Sequence, residues 1–175
     1  MYHGLDIRIP VLCSIVLLAG SGLQAQDAKP MLAYLKTNYT QIRDNLTKAA
    51  DKMAEADYSF QPKPEIRTFA ALIAHIADAQ MRFCGTANGH AVQAPAGQKT
   101  AKAELVAALK TSFDECDAAF NGTTETNYLE TVGQGKGAGP RMNQLLHTVI
   151  HDNEEYGYIS VYLRLKGVVP PSSDR

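Results

Sequence analysis

The chain has no tryptophan, few aromatics and no excess of charge of either sign. Its 17 lysines and arginines face 18 aspartates and glutamates without forming a basic cluster, so the electrostatic footprint of a nucleic-acid binder is missing. No apolar run is long enough to span a bilayer comfortably. The stretch Ile9 to Gly20 falls short of the roughly 20 residues that a span needs. No internal repeat is visible, and no segment shows the alternation of a defensible strand. What remains is rich in alanine and leucine and leans helical. At 175 residues the chain suits one domain with a substantial core.

The first 25 residues read as a signal peptide. Arg8 and the amino terminus form a thin positive region, weakened by Asp6, ahead of the short apolar stretch, and Ala25 offers a small residue for cleavage. A membrane anchor is the competing reading. The stretch Leu18 to Ser21 looks like a lipoprotein cleavage box, but Ser21 stands where the lipidated cysteine is needed. The expectation is a secreted protein, periplasmic if the source is Gram-negative. Residues 26 to 175 would form the folded domain, with no stable membrane span once the leader is removed.

Cysteine is scarce as well. Cys13 leaves with the leader, so the mature chain keeps Cys84 and Cys116. An even pair in an oxidising compartment suggests a disulfide; two buried free thiols are the alternative.

Four helices are predicted. The first runs from about Pro30 to about Ala56, with Leu32, Leu35, Tyr39, Ile42, Leu46, Ala49 and Met53 at steps of three and four. The second opens at the N-cap candidate Thr68 and runs to about Ala87, with Leu72, Ile76, Ala79 and Phe83 on its buried side. The third spans about Thr100 to Phe120. The fourth starts near Pro140 and stops at Gly167, after a glycine-rich irregular segment.

Four such helices in one domain imply an all-α four-helix bundle. Cys84 and Cys116 each lie near the end of their helix. In an antiparallel hairpin they would sit roughly 20 Å apart along the axis at 1.5 Å per residue, whereas a disulfide needs Cα atoms within about 7 Å. A bridge therefore requires helices two and three to run parallel, in an up-down-down-up topology. Residues 88 to 100 would then cross the length of the bundle, and that connector can reach about 40 Å.

The densest chemistry lies on helix four, where His147, His151 and Glu155 are spaced by four and project from one face. Two imidazoles and a carboxylate stacked a turn apart suit a divalent transition metal. His75, between the small residues Ala71 and Ala79 on helix two, offers a further ligand. The expected set is His75, His151 and Glu155. His147 is a fourth ligand or a supporting residue, and Asp78 is placed to orient the His75 ring. Such a site suits Zn²⁺, Ni²⁺, Fe²⁺ or Mn²⁺ and leaves positions open for water or substrate.

The stripe Gln144, His147, His151, Glu155, Tyr158, Tyr162, Leu165 is expected to face inward, Asp152 and Asn153 to face away, and Glu154 to be solvated or to support the site. The bland alternative pairs Glu155 with Arg82 and turns His151 to a backbone carbonyl. No separate general base is visible; Tyr156 and Tyr158 read as packing residues.

Three segments, Tyr58 to Phe69, Leu72 to Gln80 and His151 to Gly157 with Tyr162 to Pro171, together resemble the DinB-like (DinB/YfiT) superfamily over nearly all of the mature chain. The resemblance implies the same up-down-down-up bundle and a three-histidine metal site, one histidine from helix two and a His-x-x-x-His pair on helix four. That pair aligns on His151 and position 155, where this chain has glutamate. Pairing His147 with His151 would restore three histidines but misalign Gly157.

Two functions follow from the resemblance. One is a metal-dependent hydrolase that uses a metal-bound water on a small substrate in the groove between helices two and four. The other is a non-catalytic binding or stress-related module with a structural or degenerate site. Thiol transfer, also found in the family, fits poorly with export. A closed site with His147 bound would favour the module, and an open one the hydrolase. No heptad seam announces a dimer, although bundles with exposed apolar faces commonly form homodimers.

Overall fold

Helix α1 (Lys29–Lys52) buries every position of its predicted apolar stripe from Leu32 to Ala49. The computed structural model describes residues 29–91 and 93–174, so the expected signal peptide lies outside the described residues. The helix ends earlier than expected. Ala54 is already extended (ψ 145°), and the Lys102 ammonium donates to the carbonyls of Asp51 and Met53, both at 2.8 Å. A cation at a helix C-terminus takes up orphan carbonyls and complements the dipole. The Tyr58 hydroxyl donates back to the Ala50 carbonyl at 2.8 Å, and its ring meets Phe69 edge-on, which folds the connector onto the helix end.

Helix α2 (Phe69–Asn88) opens on Thr68, whose hydroxyl accepts the Ala71 N–H at 3.1 Å. It closes on Gly89 in the left-handed region (φ 86°). Gly89 and His90 there donate to the carbonyls of Thr86 and Gly85, the paired bonds of a Schellman ending. Phe83 is only half buried, against the expectation, because it sits beside the histidines of α4. Helix α3 spans Lys102–Gly122 and α4 spans Arg141–Leu165. Between them a minimal two-residue ribbon pairs β1 (Thr131–Val132) with β2 (Gly139–Pro140), strands too short for the sequence to announce.

Contacts between helices define the topology. Gln80 meets Ser112 and Cys84 meets Cys116, a constant offset that makes α2 and α3 parallel. Tyr39 stacks on Phe120 while Lys102 reaches Met53, so α1 and α3 are antiparallel. His75 meets His151 and Arg141 reaches the Ala87 carbonyl, so α2 and α4 are antiparallel too. The result is an up-down-down-up bundle. Cys84 and Cys116 form a disulfide, their Cα atoms 4.9 Å apart. The connector from α2 to α3 is held against α2 by Asp78, whose carboxylate accepts the N–H groups of Ala96 (2.8 Å) and Gly97 (3.0 Å).

Three helices place a polar residue inside an otherwise apolar seam. On α4 the seam is Leu145, Val149, Asp152, Tyr156, Ile159, Leu163; on α2 it is Ile73, Ala77, Gln80, Cys84, Ala87; on α3 it is Leu105, Leu109, Ser112, Cys116, Ala119. Asp152, Gln80 and Ser112 are each 0% exposed, and they meet in one layer.

Candidate metal centre

The spacing of α4 residues decides what reaches the α2–α4 interface. Because its seam runs through Asp152, His151 and Glu155 lie on the edge of that seam facing α2, and His75 meets them from α2. His75 Nε2 and His151 Nε2 are 3.2 Å apart. Glu155 Oε1 is 3.5 Å from His75 Nε2 and 3.8 Å from His151 Nε2. A tetrahedral ion with bonds of about 2.0–2.2 Å holds its ligand atoms about 3.3–3.6 Å apart. The three edges of this triangle bracket that range. Among the described residues Glu155 Oε2, also buried, has no hydrogen-bond partner. An orphaned carboxylate oxygen beside two converging imidazoles is the donor set that a divalent ion completes.

Beneath the triangle the buried polar layer sets the orientation of His151. The Ser112 hydroxyl donates to Gln80 Oε1 (2.6 Å), and Gln80 Nε2 donates to Asp152 Oδ2 (2.8 Å). Asp152 Oδ1 faces His151 Nδ1 at 3.4 Å. With Asp152 ionised the carboxylate only accepts, so Nδ1 then carries the proton and Nε2 keeps its lone pair toward His75 and Glu155. Phe83 packs edge-on against the His151 ring, with centroids 5.8 Å apart, and limits its rotation.

Charge and burial act on each group. Desolvation pushes His75 below the ordinary imidazole range, helped by Arg67, His151 and Arg82 and opposed by Asp78. The ring is therefore neutral at pH 7, as a ligand must be. Desolvation raises the carboxyl of Glu155, against the pull of His151 and Arg67. It raises that of Asp152 as well, against the hydrogen bonds from His151 and Gln80.

A sequence model of the DinB superfamily matches residues 38–159. The chain belongs to the DinB superfamily. Two solved DinB-like proteins share its fold. That from Bacillus cereus is 15% identical, with a TM-score of 0.68 over 78% of this chain and 93% of its own. That from Bacillus subtilis is 20% identical, with a TM-score of 0.62 over 77% and 92%. No curated protein matches the chain.

Among the described residues of this DinB bundle, His75, His151 and Glu155 form the cluster that can hold an ion, their donor atoms all within 4.8 Å of one another. Other expectations are corrected. His147 is exposed, its ring against Phe83, and stays outside the cluster. Asp78 serves the connector turn at Ala96 and Gly97 instead of the His75 ring, because those two N–H groups need an acceptor.

Asp152 points inward and is fully buried, because α4 is rotated about one residue from the stripe read in the sequence. Tyr158 and Leu165 are exposed for the same reason, at 49% and 58%. The pairing of Glu155 with Arg82 is replaced by its approach to the two histidines. Asp152 and Gln80 were missed although a signal existed, the alternating four-and-three spacing of apolar residues that brackets each of them.

Proposed function

We propose that this DinB protein is an exported metal-dependent hydrolase acting on a small molecule. The observation that carries the reading is the convergence of His75 Nε2, His151 Nε2 and Glu155 Oε1 at an opening to solvent, where His75 keeps 29% of its side chain exposed. His75, His151 and Glu155 would hold the ion. A zinc-like ion in such a place supplies Lewis acidity that polarises a carbonyl or phosphoryl oxygen and activates water. Asp152 fixes the His151 tautomer, and Glu155 lowers the net charge of the centre.

The exclusion of His147 from the cluster supports an open site over a closed structural one. Export is consistent with the Cys84–Cys116 disulfide. The test is elemental analysis of protein purified without added metal or chelator, beside His75→Ala and His151→Ala, followed by a screen of ester, amide and phosphoester substrates. One equivalent of a transition metal, lost in both variants, with metal-dependent turnover of one substrate class, is the expected result. Bound metal without turnover on any class would move the reading to a binding module.

A further inference from the structure

The metal centre does not end at its three ligands. One turn before His75 on α2 comes Leu72, and one turn after Glu155 on α4 comes Tyr158. Both line a cleft of about 750 Å³ that continues away from the cluster. Its walls include Ile66, Leu72, Tyr158, Val161 and Tyr162 and are mostly apolar. Cavities of about 300–1,000 Å³ with apolar walls and a few placed polar groups are typical of small-molecule sites.

The cation in this cleft is Arg67. Its carbonyl accepts the Tyr162 hydroxyl at 2.5 Å, which pins the backbone just before α2. The guanidinium is exposed and, among the described residues, makes no ion pair or hydrogen bond. Glu65 also lines the cleft and opposes an anion, so Arg67 is the one lining residue that attracts an anionic head.

We propose that this cleft is the substrate subsite and that it takes a small carboxylate with an apolar body. The body lies against Leu72, Tyr158 and Val161, and the carboxylate is held by Arg67. An unpaired guanidinium recognises a carboxylate by paired hydrogen bonds, which a neutral head cannot accept as strongly. The inference builds on the metal-centre reading for the place of the reacting bond, while the binding preference rests on Arg67 alone.

Three probes with one apolar body test it: phenylbutyrate, phenylbutanol and phenylbutylamine, titrated into metal-free and zinc-loaded protein by calorimetry and NMR. Phenylbutyrate is expected to bind roughly tenfold more tightly than phenylbutanol, the worth of a hydrogen-bonded charge, and phenylbutylamine most weakly. Arg67→Gln should erase the difference between acid and alcohol, Glu65→Gln should widen it, and Val161→Gln, a neutral polar group in the apolar wall, should weaken the acid and the alcohol alike. Lys110→Gln on α3, whose ammonium pairs with Asp114, should change nothing.

A preference that survives Arg67→Gln, one that appears only with zinc, or no discrimination among the probes overturns the proposal. An Arg67-dependent preference in protein that takes up no zinc would leave the subsite standing and remove the metal reading. Stoichiometric zinc without discrimination would do the reverse.

Discussion

His75 and His151 face each other through their Nε2 atoms at 3.2 Å across the α2–α4 interface, with Glu155 Oε1 completing the triangle. Two neutral imidazoles in this arrangement share at most one hydrogen bond, and an ion between them uses both lone pairs.

Loss of either histidine is therefore expected to weaken zinc binding by more than about 100-fold, beyond the effect typical of a supporting residue. Glu155→Gln should weaken it too, by losing the anionic ligand, whereas Glu155→His should keep one equivalent bound. Competition with a chromophoric chelator reads all four variants. Unchanged affinity in both His75→Ala and His151→Ala would dispose of the site.

The buried layer predicts a separation of stability from metal affinity. Gln80→Leu leaves the Asp152 carboxylate short of its donor and should cost about 1–3 kcal/mol in denaturant unfolding. Changing Ser112→Ala, Gln80→Leu and Asp152→Leu together makes the layer apolar and should restore stability to wild-type level or above. The same triple variant should bind zinc about 10–100-fold more weakly, since His151 loses its orienting carboxylate. A triple variant with wild-type zinc affinity would show that Asp152 does not orient the ring.

Alkaline pH should find the protein's weak side at two tyrosines. Burial raises Tyr39, with the Asp117 carboxylate that accepts its hydroxyl (2.6 Å) adding to the effect, and burial raises Tyr58. A raised folded value means that the unfolded chain ionises first, near pH 10. The contribution of both hydroxyls is thus fully present below about pH 10 and is lost as the pH rises past it. Ultraviolet titration should show these two phenols ionising only with unfolding, and Tyr39→Phe with Tyr58→Phe should flatten the loss of stability above about pH 10. Normal titration of both in the folded protein would contradict their burial.

Reduction of the Cys84–Cys116 bridge, which closes a loop of sequence separation 32, should lower stability by about 3–4 kcal/mol on the chain-entropy account. The measurement is denaturant unfolding of wild type against Cys84→Ser with Cys116→Ser. A double variant as stable as the oxidised protein would mean that the unfolded chain already holds these helices together.

The four helices, the parallel α2–α3 pair and the three clustered residues were legible because they rest on local signals: spacing, caps and the reach of a disulfide. The end of α1 was not, because Lys102, fifty residues on, supplies the group that terminates it. The rotation of α4 is hidden in the sequence, where Tyr158 and Leu165 look like inward positions and Asp152 like one that faces away. Counting only apolar residues hides a seam whose central position is a carboxylate. The role of Asp78 depended on where a connector without periodicity comes to rest, and no pattern in the chain encodes that.

The layer of Ser112, Gln80 and Asp152 also fixes how the helices are aligned. Sliding α4 by seven residues along α2 would still set apolar seam against apolar seam, so hydrophobic packing alone distinguishes the two alignments poorly. In the slipped form Asp152 would lie beside Ile73 or Ala87 instead of Gln80, a carboxylate sealed in without a donor. One chain of three hydrogen-bonding side chains thus acts as a key cut for a single register, and the meeting of His75 with His151 is a result of that register.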